Sequence, residues 1–293
     1  MIINERSGTA AKPDVGLEIQ SLFERHGARV RLERVRDPAD LAARARQAAT
    51  RGDVIVAAGG DGTVGAVAGA AVSSRATIGV LPMGTLNHFA KDVGLPLPLE
   101  EAIKGIMTGR VRQCDVGEVN GRVFVNNSSV GLYPRMVWER EAQQRRGRRK
   151  WSAFGIAMVN TWRNYRLIAA RLDVDGSPAV VRTPFIFVGN NTYRAEGFGL
   201  GGRSRLDEGR LSIFVAPECG RFEILSLPLR ALTGRLRADT VPFNGFQADT
   251  VTVEVTHRRA SVALDGEVAL IAPPLVYRIR PRALNVIGPE PVA

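Results

Sequence analysis

Val54-Ile55-Val56-Ala57-Ala58-Gly59-Gly60-Asp61-Gly62-Thr63 is the stretch that decides the fold. Five consecutive apolar residues without polar alternation read as a strand buried on both faces, the pattern of a parallel sheet covered by helices. The glycines that follow let the backbone turn sharply and approach a ligand with no Cβ in the way. A helical pattern then starts at about Val64. Strand, glycine turn and helix in this order aim the free N–H groups of the loop and helix start at one spot, where a phosphate is stabilised. Asp61 cannot face a phosphate as a bare anion, so it suits Mg²⁺ or a ring of donors. Thr63 can cap the helix or reach a phosphate oxygen. A plain tight turn would read the same way, and neither a P-loop nor a dinucleotide fingerprint is present.

The same signal repeats one strand later. Ile78-Gly79-Val80-Leu81 runs into Pro82-Met83-Gly84-Thr85-Leu86-Asn87-His88, again strand, glycine turn and helix. Two such turns after successive parallel strands place donors at the carboxyl edge of one sheet, where open α/β sheets bind ligands. Upstream, Ile2-Ile3 reads as a very short strand. Val15, Ile19, Leu22, Phe23 and His26 form a helical stripe ending at Gly27. Val30 and Leu32 alternate with arginines like a strand, and a helix from Pro38 carries Leu41, Ala45, Ala48 and Ala49 up to Gly52. Helices at 64–72, near 86–93 and at 99–108 complete a strand–helix alternation that predicts an α/β domain with a parallel sheet.

After about residue 110 the texture changes. Asn120-Gly121 separates apolar runs at 113–119 and 122–127; Asp175-Gly176 separates 168–174 from 180–188; Asp265-Gly266 separates 261–264 from 267–270. These dipeptides are strong hairpin signals, because both central residues of a type I′ turn need positive φ. The chain therefore reads as an α/β nucleotide-binding domain at 1–112 and a mostly antiparallel β-sandwich domain at 113–293. The second domain carries a helical insert at 134–165 and a helix at 221–235, and its last segment is free to return to the first domain.

The chain has 293 residues, enough for two domains with sizeable cores. Cys114 and Cys219 are its cysteines, which gives neither a disulfide framework nor a metal pair and fits a reducing cytoplasm. The N-terminus lacks the apolar region of a signal peptide, and no apolar run approaches the roughly 18 residues of a membrane span. The net charge of +11 points to an anionic partner, against the plainer reading of a solvated, arginine-rich surface.

In order along the chain stand Asn4-x-x-Ser7-Gly8, Gly59-Gly60-Asp61-Gly62-Thr63, Pro82-Met83-Gly84-Thr85-Leu86-Asn87, Leu206-Asp207-Glu208-Gly209 and Leu264-Asp265-Gly266-Glu267. This ordered set resembles the diacylglycerol kinase catalytic-domain family, which includes bacterial lipid kinases and sphingosine kinases. The resemblance implies transfer of the γ-phosphoryl group of ATP, with Mg²⁺, to a lipid hydroxyl in a cleft between the two domains. It implies that Asn4, Ser7, Gly8, Gly59, Gly60, Asp61, Gly62, Thr63, Gly84, Thr85 and Asn87 line the nucleotide site. Asp265 would be the general base. Asp61 and Glu267 would serve the metal network, joined by Asp207 and Glu208. Where many members carry Asn-Glu this chain has Gly65-Ala66; it has His88 for Asp, Glu208 for Asp, and Gly202-Arg203-Ser204 for Pro-x-Ala.

The run Arg145-Arg146-Gly147-Arg148-Arg149-Lys150-Trp151, with Trp138 and Phe154 nearby, suits an anionic membrane surface or simply a solvated helix face. No nucleic-acid reader module is visible, so nucleic acid is not an expected partner. The expected location is the cytoplasm, peripheral to the inner face of the membrane, and a homodimer is compatible with the sequence. Two other readings stay open: a NAD kinase-like small-molecule kinase, and a nucleotide- or lipid-binding regulator without catalysis.

Overall fold

The computed structural model describes residues 1–5, 7–8, 14–51, 54–145, 156, 159–160, 163, 165–196, 199–203, 205–218, 220 and 244–289. Strands β1 (Ile2–Asn4), β2 (Glu33–Val35), β3 (Ile55–Gly59) and β4 (Thr77–Pro82) run parallel in the order β2-β1-β3-β4. Helices α1 (Val15–Arg25), α2 (Pro38–Ala49), α3 (Asp61–Ser74), α4 (His88–Val93) and α5 (Leu99–Thr108) connect and follow them. Successive residues of β3 serve opposite faces. Ile55 and Ala57 join a core with Leu41 and Ala45 of α2 and Val64, Val67 and Ala71 of α3. Val56 and Ala58 join a second core with Ile19 and Phe23 of α1 and Ile103 of α5. Each valine, leucine, isoleucine or phenylalanine among them contributes about 1.5–3 kcal/mol on removal from water, and each alanine less. The unbroken apolar run of β3 is thus explained by two helical layers.

The antiparallel half begins with β5 (Arg110–Val119) and β6 (Arg122–Phe124), then β7 (Asn127–Gly131) and α6 (Leu132–Arg145). There follow β8 (Ile168–Val174), β9 (Ser177–Thr183), β10 (Phe185–Asn190), β11 (Tyr193–Glu196), β12 (Gly199–Arg203), β13 (Leu211–Val215), β14 (Asn244–Ala248), β15 (Thr250–Val255), β16 (Ala260–Leu264), β17 (Glu267–Ile271) and β18 (Leu275–Gly288). One sheet runs β14-β13-β10-β7-β16-β17. It packs on β5, β8, β15 and the start of β18 through Val130, Ile186, Val188, Ile213, Leu172, Val251, Val253 and Leu275. The fold is therefore an α/β domain with a parallel sheet joined to an antiparallel β-sandwich.

β18 binds the halves together. Residues 275–278 pair antiparallel with β15, while Asn285 and Val286 pair parallel with β4. β5 runs alongside almost all of β18, so residues 112 and 113 lie inside one strand. The β5–β18 register shifts between Arg280 and Leu284, where Arg282 has φ 50°. Buried Asp115 fills this bulge, accepting the N–H groups of Arg282 and Gly209, each at 2.7 Å.

All three hairpins form as expected, with both turn residues at positive φ at Asn120-Gly121, Asp175-Gly176 and Asp265-Gly266. Several boundaries differ. The strand at Val30 and Leu32 starts instead at Glu33, while Val30 and Leu32 pack their side chains under α1. The run 180–188 is divided at Pro184, which has no N–H to donate, and the chain passes from one sheet to the other. The helix at 221–235, Cys219 and the run 146–151 lie outside the described residues, as does most of the insert beyond α6. Among the described residues no helix is long and apolar enough to cross a membrane.

Phe124 is fully buried where β6 meets the sandwich, edge-on to Tyr277 at 6.3 Å. Gly117 leaves the space its ring fills. Phe124→Ala should cost about 3–5 kcal/mol in denaturant unfolding. A loss below about 1 kcal/mol would mean that this junction does not hold the sandwich together.

Candidate functional site

β1 leads to β2 on one side of the sheet and β3 leads to β4 on the other. The crevice outside the carboxyl ends of β1 and β3 is therefore a topological switch point, the favoured ligand position in such sheets. Three loops meet there. Met83 N–H donates to the Gly59 carbonyl at 3.0 Å, and Gly60 N–H donates to Ser7 Oγ at 3.4 Å. A Cβ on Gly84 would stand 2.5 Å from Gly60 Cα, and Gly8, at φ 35°, rests against the Met83 carbonyl. Glycine is needed at 84 and 8 because backbone packs on backbone.

The helix begins at Asp61, three residues before the expected Val64. Gly60 is the extended residue at its start and offers no side-chain cap, so Asp61, Gly62 and Thr63 form the first turn. Their N–H groups are those an α-helix leaves without an intrahelical acceptor. Thr63 does not reach the ligand side. It is 2% exposed and accepts Asn4 Nδ2–H at 3.0 Å, and Asn4 is itself buried. This pair braces the loop from beneath. Asn87 also turns inward, with φ 52°: Oδ1 accepts Gly84 N–H at 2.8 Å and Nδ2 donates to the Gly84 carbonyl at 3.1 Å. Thr85 stands exposed at the turn.

Asp61 takes the ring of donors. Oδ2 accepts His88 N–H at 3.2 Å; Oδ1 accepts Phe89 N–H and Asn126 Nδ2–H, each at 3.1 Å. It thereby ties the start of α3 to the start of α4. Facing it from the other half is Asp265, in the β16–β17 turn. Its carboxylate accepts the N–H groups of Val125 and Asn126 at 2.8 Å and of Asn127 at 3.2 Å. Here the run 122–127 departs from a single strand: three consecutive N–H groups turn to a carboxylate, so β6 ends at Phe124 and β7 starts at Asn127. Burial pushes the Asp265 carboxyl up to about 7; the three N–H groups pull it down, and the charge of Asp61 adds to the rise.

Two glycines of α3 admit the hairpin. A Cβ on Gly65 would lie 2.7 Å from Asp265 Oδ2, and one on Gly62 would lie 2.5 Å from Glu267 Oε1. Gly65, one of the departures from the family pattern, is thus where the Asp265 hairpin rests on the α/β half.

The other two expected metal ligands are held elsewhere. Asp207 is paired with Arg205 at 3.1 Å, which holds its carboxyl below the usual range. Glu208 Oε2 accepts Thr192 N–H at 3.1 Å. Among the described residues no group of three or more His, Cys, Asp or Glu could hold a metal ion. The expected set of Asp61, Glu267, Asp207 and Glu208 is therefore not gathered at one place, because Arg205 and the Thr192 amide claim two of its members.

Residues assigned no role in the site from the sequence complete it. Asn126 joins both carboxylates, and Arg203 and Tyr193 lie behind it. The signal available was Asn126-Asn127 inside a run that otherwise reads as buried strand. Beside the same hairpin, Trp138, Val268 and Leu270, with Arg135 and Glu139, line a cleft of about 630 Å³. Trp138 and Leu270 are more than half exposed in it.

Comparison with known proteins accords with this geometry. Residues 1–119 match the diacylglycerol kinase catalytic domain, and residues 133–288 match the YegS C-terminal NAD kinase beta sandwich-like domain. The diacylglycerol kinase of Bacillus subtilis (strain 168) is 26% identical over 99% of this chain and 96% of its own. The "Probable lipid kinase YegS-like" protein of Chromohalobacter salexigens is 30% identical over 58% of this chain and 56% of its own. A diacylglycerol kinase crystal structure from Bacillus anthracis str. Sterne superposes with a TM-score of 0.70 over 100% of this chain and 97% of its own, at 18% identity. A second structure from that organism gives 0.76, over 100% and 95% at 22% identity; at these identities the likeness is one of fold. With both halves matched in order and the switch-point loops in place, the chain belongs to the family that joins a diacylglycerol kinase catalytic domain to a YegS-type β-sandwich.

Proposed function

We propose that the protein is a lipid kinase that transfers the γ-phosphoryl group of ATP to a hydroxyl of a diacylglycerol-like or sphingoid lipid. The observation that carries this reading is the pairing of a nucleotide-type loop on one half with a carboxylate on the other. Asp265 lies against Gly65 of the helix that starts at the loop. A carboxylate with a pKa near 7 is suited to take the hydroxyl proton as the oxygen attacks phosphorus. The N–H groups at the start of α3 would hold the phosphates, with Ser7, Gly8, Gly84 and Thr85 shaping the nucleotide side. The cleft beside the hairpin, apolar at Trp138, Val268 and Leu270, suits an acyl or sphingoid chain.

Mg²⁺ fits this donor set as a cation that arrives with the nucleotide. Mg²⁺ needs only one or two carboxylates plus phosphate oxygens and water. Asp61 and Glu267 flank the loop, and the charge of Asp61 already bears on Asp265. When bound it would neutralise charge on the phosphates during transfer. Contact with an anionic membrane in the cytoplasm is part of the proposal. It rests on the basic run 145–151 and on the need to meet a lipid acceptor at a surface.

The deciding experiment is incubation with radiolabelled ATP, Mg²⁺ and a total lipid extract, followed by separation of labelled lipids. A labelled phospholipid is expected. ATP binding without labelled lipid would favour a regulator, and label transfer to NAD in a parallel reaction with NAD in place of the lipid would favour the NAD kinase-like reading. A pH series adds a second check. The base acts ionised, so kcat/KM for the lipid should fall as pH drops through about 7. The same shift has the opposite sign for stability. The folded state holds a proton that the unfolded Asp releases near 4, so that stabilisation is complete below about 4 and gone once pH has risen through about 7.

A further inference from the structure

Arg203, at the end of β12, is a cation with a fully buried side chain. Nε–H donates to Asp92 Oδ2 at 2.8 Å, and Nη2 forms an ion pair with the same oxygen at 2.8 Å. Nη1–H donates to the carbonyls of Val125 at 2.6 Å and Asn190 at 3.1 Å, and Nη2–H to Asn126 Oδ1 at 2.8 Å. All five guanidinium protons have an acceptor within reach. The guanidinium also stands 6.0 Å from the centre of the Phe89 ring and 5.6 Å from that of Tyr193.

What these bonds fix lies one step further on. With Oδ1 of Asn126 held by Arg203, its Nδ2 faces Asp61 Oδ1. The flipped amide would set N–H against guanidinium and oxygen against carboxylate, losing two charge-assisted bonds. The peptide unit between Val125 and Asn126 is gripped in the same way. Arg203 holds its carbonyl, and its N–H points at Asp265 Oδ1 at 2.8 Å. Tyr193 O–H steadies the next carbonyl, that of Asn126, at 2.7 Å.

We infer that Arg203 is a positioning residue that sets the spacing of Asp61 and Asp265 through Asn126, touching neither carboxylate nor substrate. The catalytic part of this inference rests on the proposed kinase reading. Removing one partner of a buried pair strands the other charge, whereas apolar replacement of both is often tolerated. The test variant is therefore Arg203→Met with Asp92→Leu, and Arg203→Lys is the second. Lys keeps the charge beside Asp92 but has three donors on one nitrogen, too few and too close together to serve Asp92, Asn126 Oδ1 and both carbonyls. Both variants should lower kcat by about 10–100-fold, the range for an ångström-scale misplacement. ATP affinity should fall much less than kcat, since Arg203 makes no bond to the backbone N–H groups of 60–63 and 84. The Asn126 side-chain amide pair in a ¹⁵N–¹H spectrum, assigned with Asn126→Asp, should shift in both variants and exchange faster with solvent.

Full kcat with Arg203→Lys would overturn the proposal, because charge alone would then suffice. So would an unmoved Asn126 amide signal in a variant that folds. The spectrum needs no activity. If the wild-type protein phosphorylates no lipid, the kinase reading falls, while the amide signal still decides whether Arg203 fixes Asn126.

Discussion

Asp265→Asn is expected to lower kcat by about 10²–10⁴-fold, the usual contribution of a positioned general base. ATP binding should survive, because on the proposed reading the phosphates are held by 60–63 and 84, on the other half of the molecule. The substitution keeps the size and shape of the side chain in the type I′ turn, so the hairpin should still rest on Gly65. One amide oxygen can still accept from the N–H groups of 125–127, but the amide nitrogen would face at least one of those donors. A stability loss of about 1–3 kcal/mol is therefore expected alongside the catalytic loss. Single-turnover kinetics with saturating ATP separates the two. Turnover within about tenfold of wild type in a folded variant would remove Asp265 from the role of base.

Gly84→Ala is expected to weaken ATP binding by about 10–100-fold. The added methyl would stand 2.5 Å from Gly60 Cα and 2.9 Å from Asn87 Oδ1. The first obstacle is backbone of the phosphate loop itself, which cannot rotate away as a side chain could. Relief requires the two loops to part, at about 1–3 kcal/mol for overpacking, and the parting moves Gly60 at the helix start. Each 1.4 kcal/mol is tenfold in affinity. Titration calorimetry with ATP checks this, with Gly69→Ala as control, since a methyl there meets only Val123 at 3.9 Å. Equal ATP affinity for Gly84→Ala and wild type would show that the loop contact does not set the nucleotide site.

Much of this architecture was open to inspection in the residues. The apolar run 54–58 announced a strand covered on both sides, and Asn120-Gly121, Asp175-Gly176 and Asp265-Gly266 announced hairpins that form with the required positive φ. Both signals are local. What stayed hidden depends on partners distant in the chain. Nothing near 125 tells that its N–H groups will turn to a carboxylate 140 residues later. The sequence leaves the last segment free to return to the first domain, but nothing within 275–288 tells that a single strand pairs antiparallel in one half and parallel in the other. Glycine could be recognised as making room, but at 65 the guest was invisible: Asp265 Oδ2 fills the space a side chain would need. Arg203, noted in the sequence only as part of a departure from the family pattern, is among the most buried charges of the described residues. Composition cannot tell a buried guanidinium from a solvated one. Asp207 and Glu208 show the converse, acidic residues that the family resemblance implied as metal ligands and that bond to Arg205 and the Thr192 amide.

A single strand, β18, is laced to β4 in one half and to β15 in the other. Two walls carried on the same girder resist swinging like jaws, because ladder bonds run through both. On the proposed reading, the opening beside the hairpin would then keep one width instead of tightening around whatever enters. An acceptor would be chosen by whether its hydroxyl and nearest carbons fit that width. A molecule too thick around the oxygen should be refused, however well its tail is held outside.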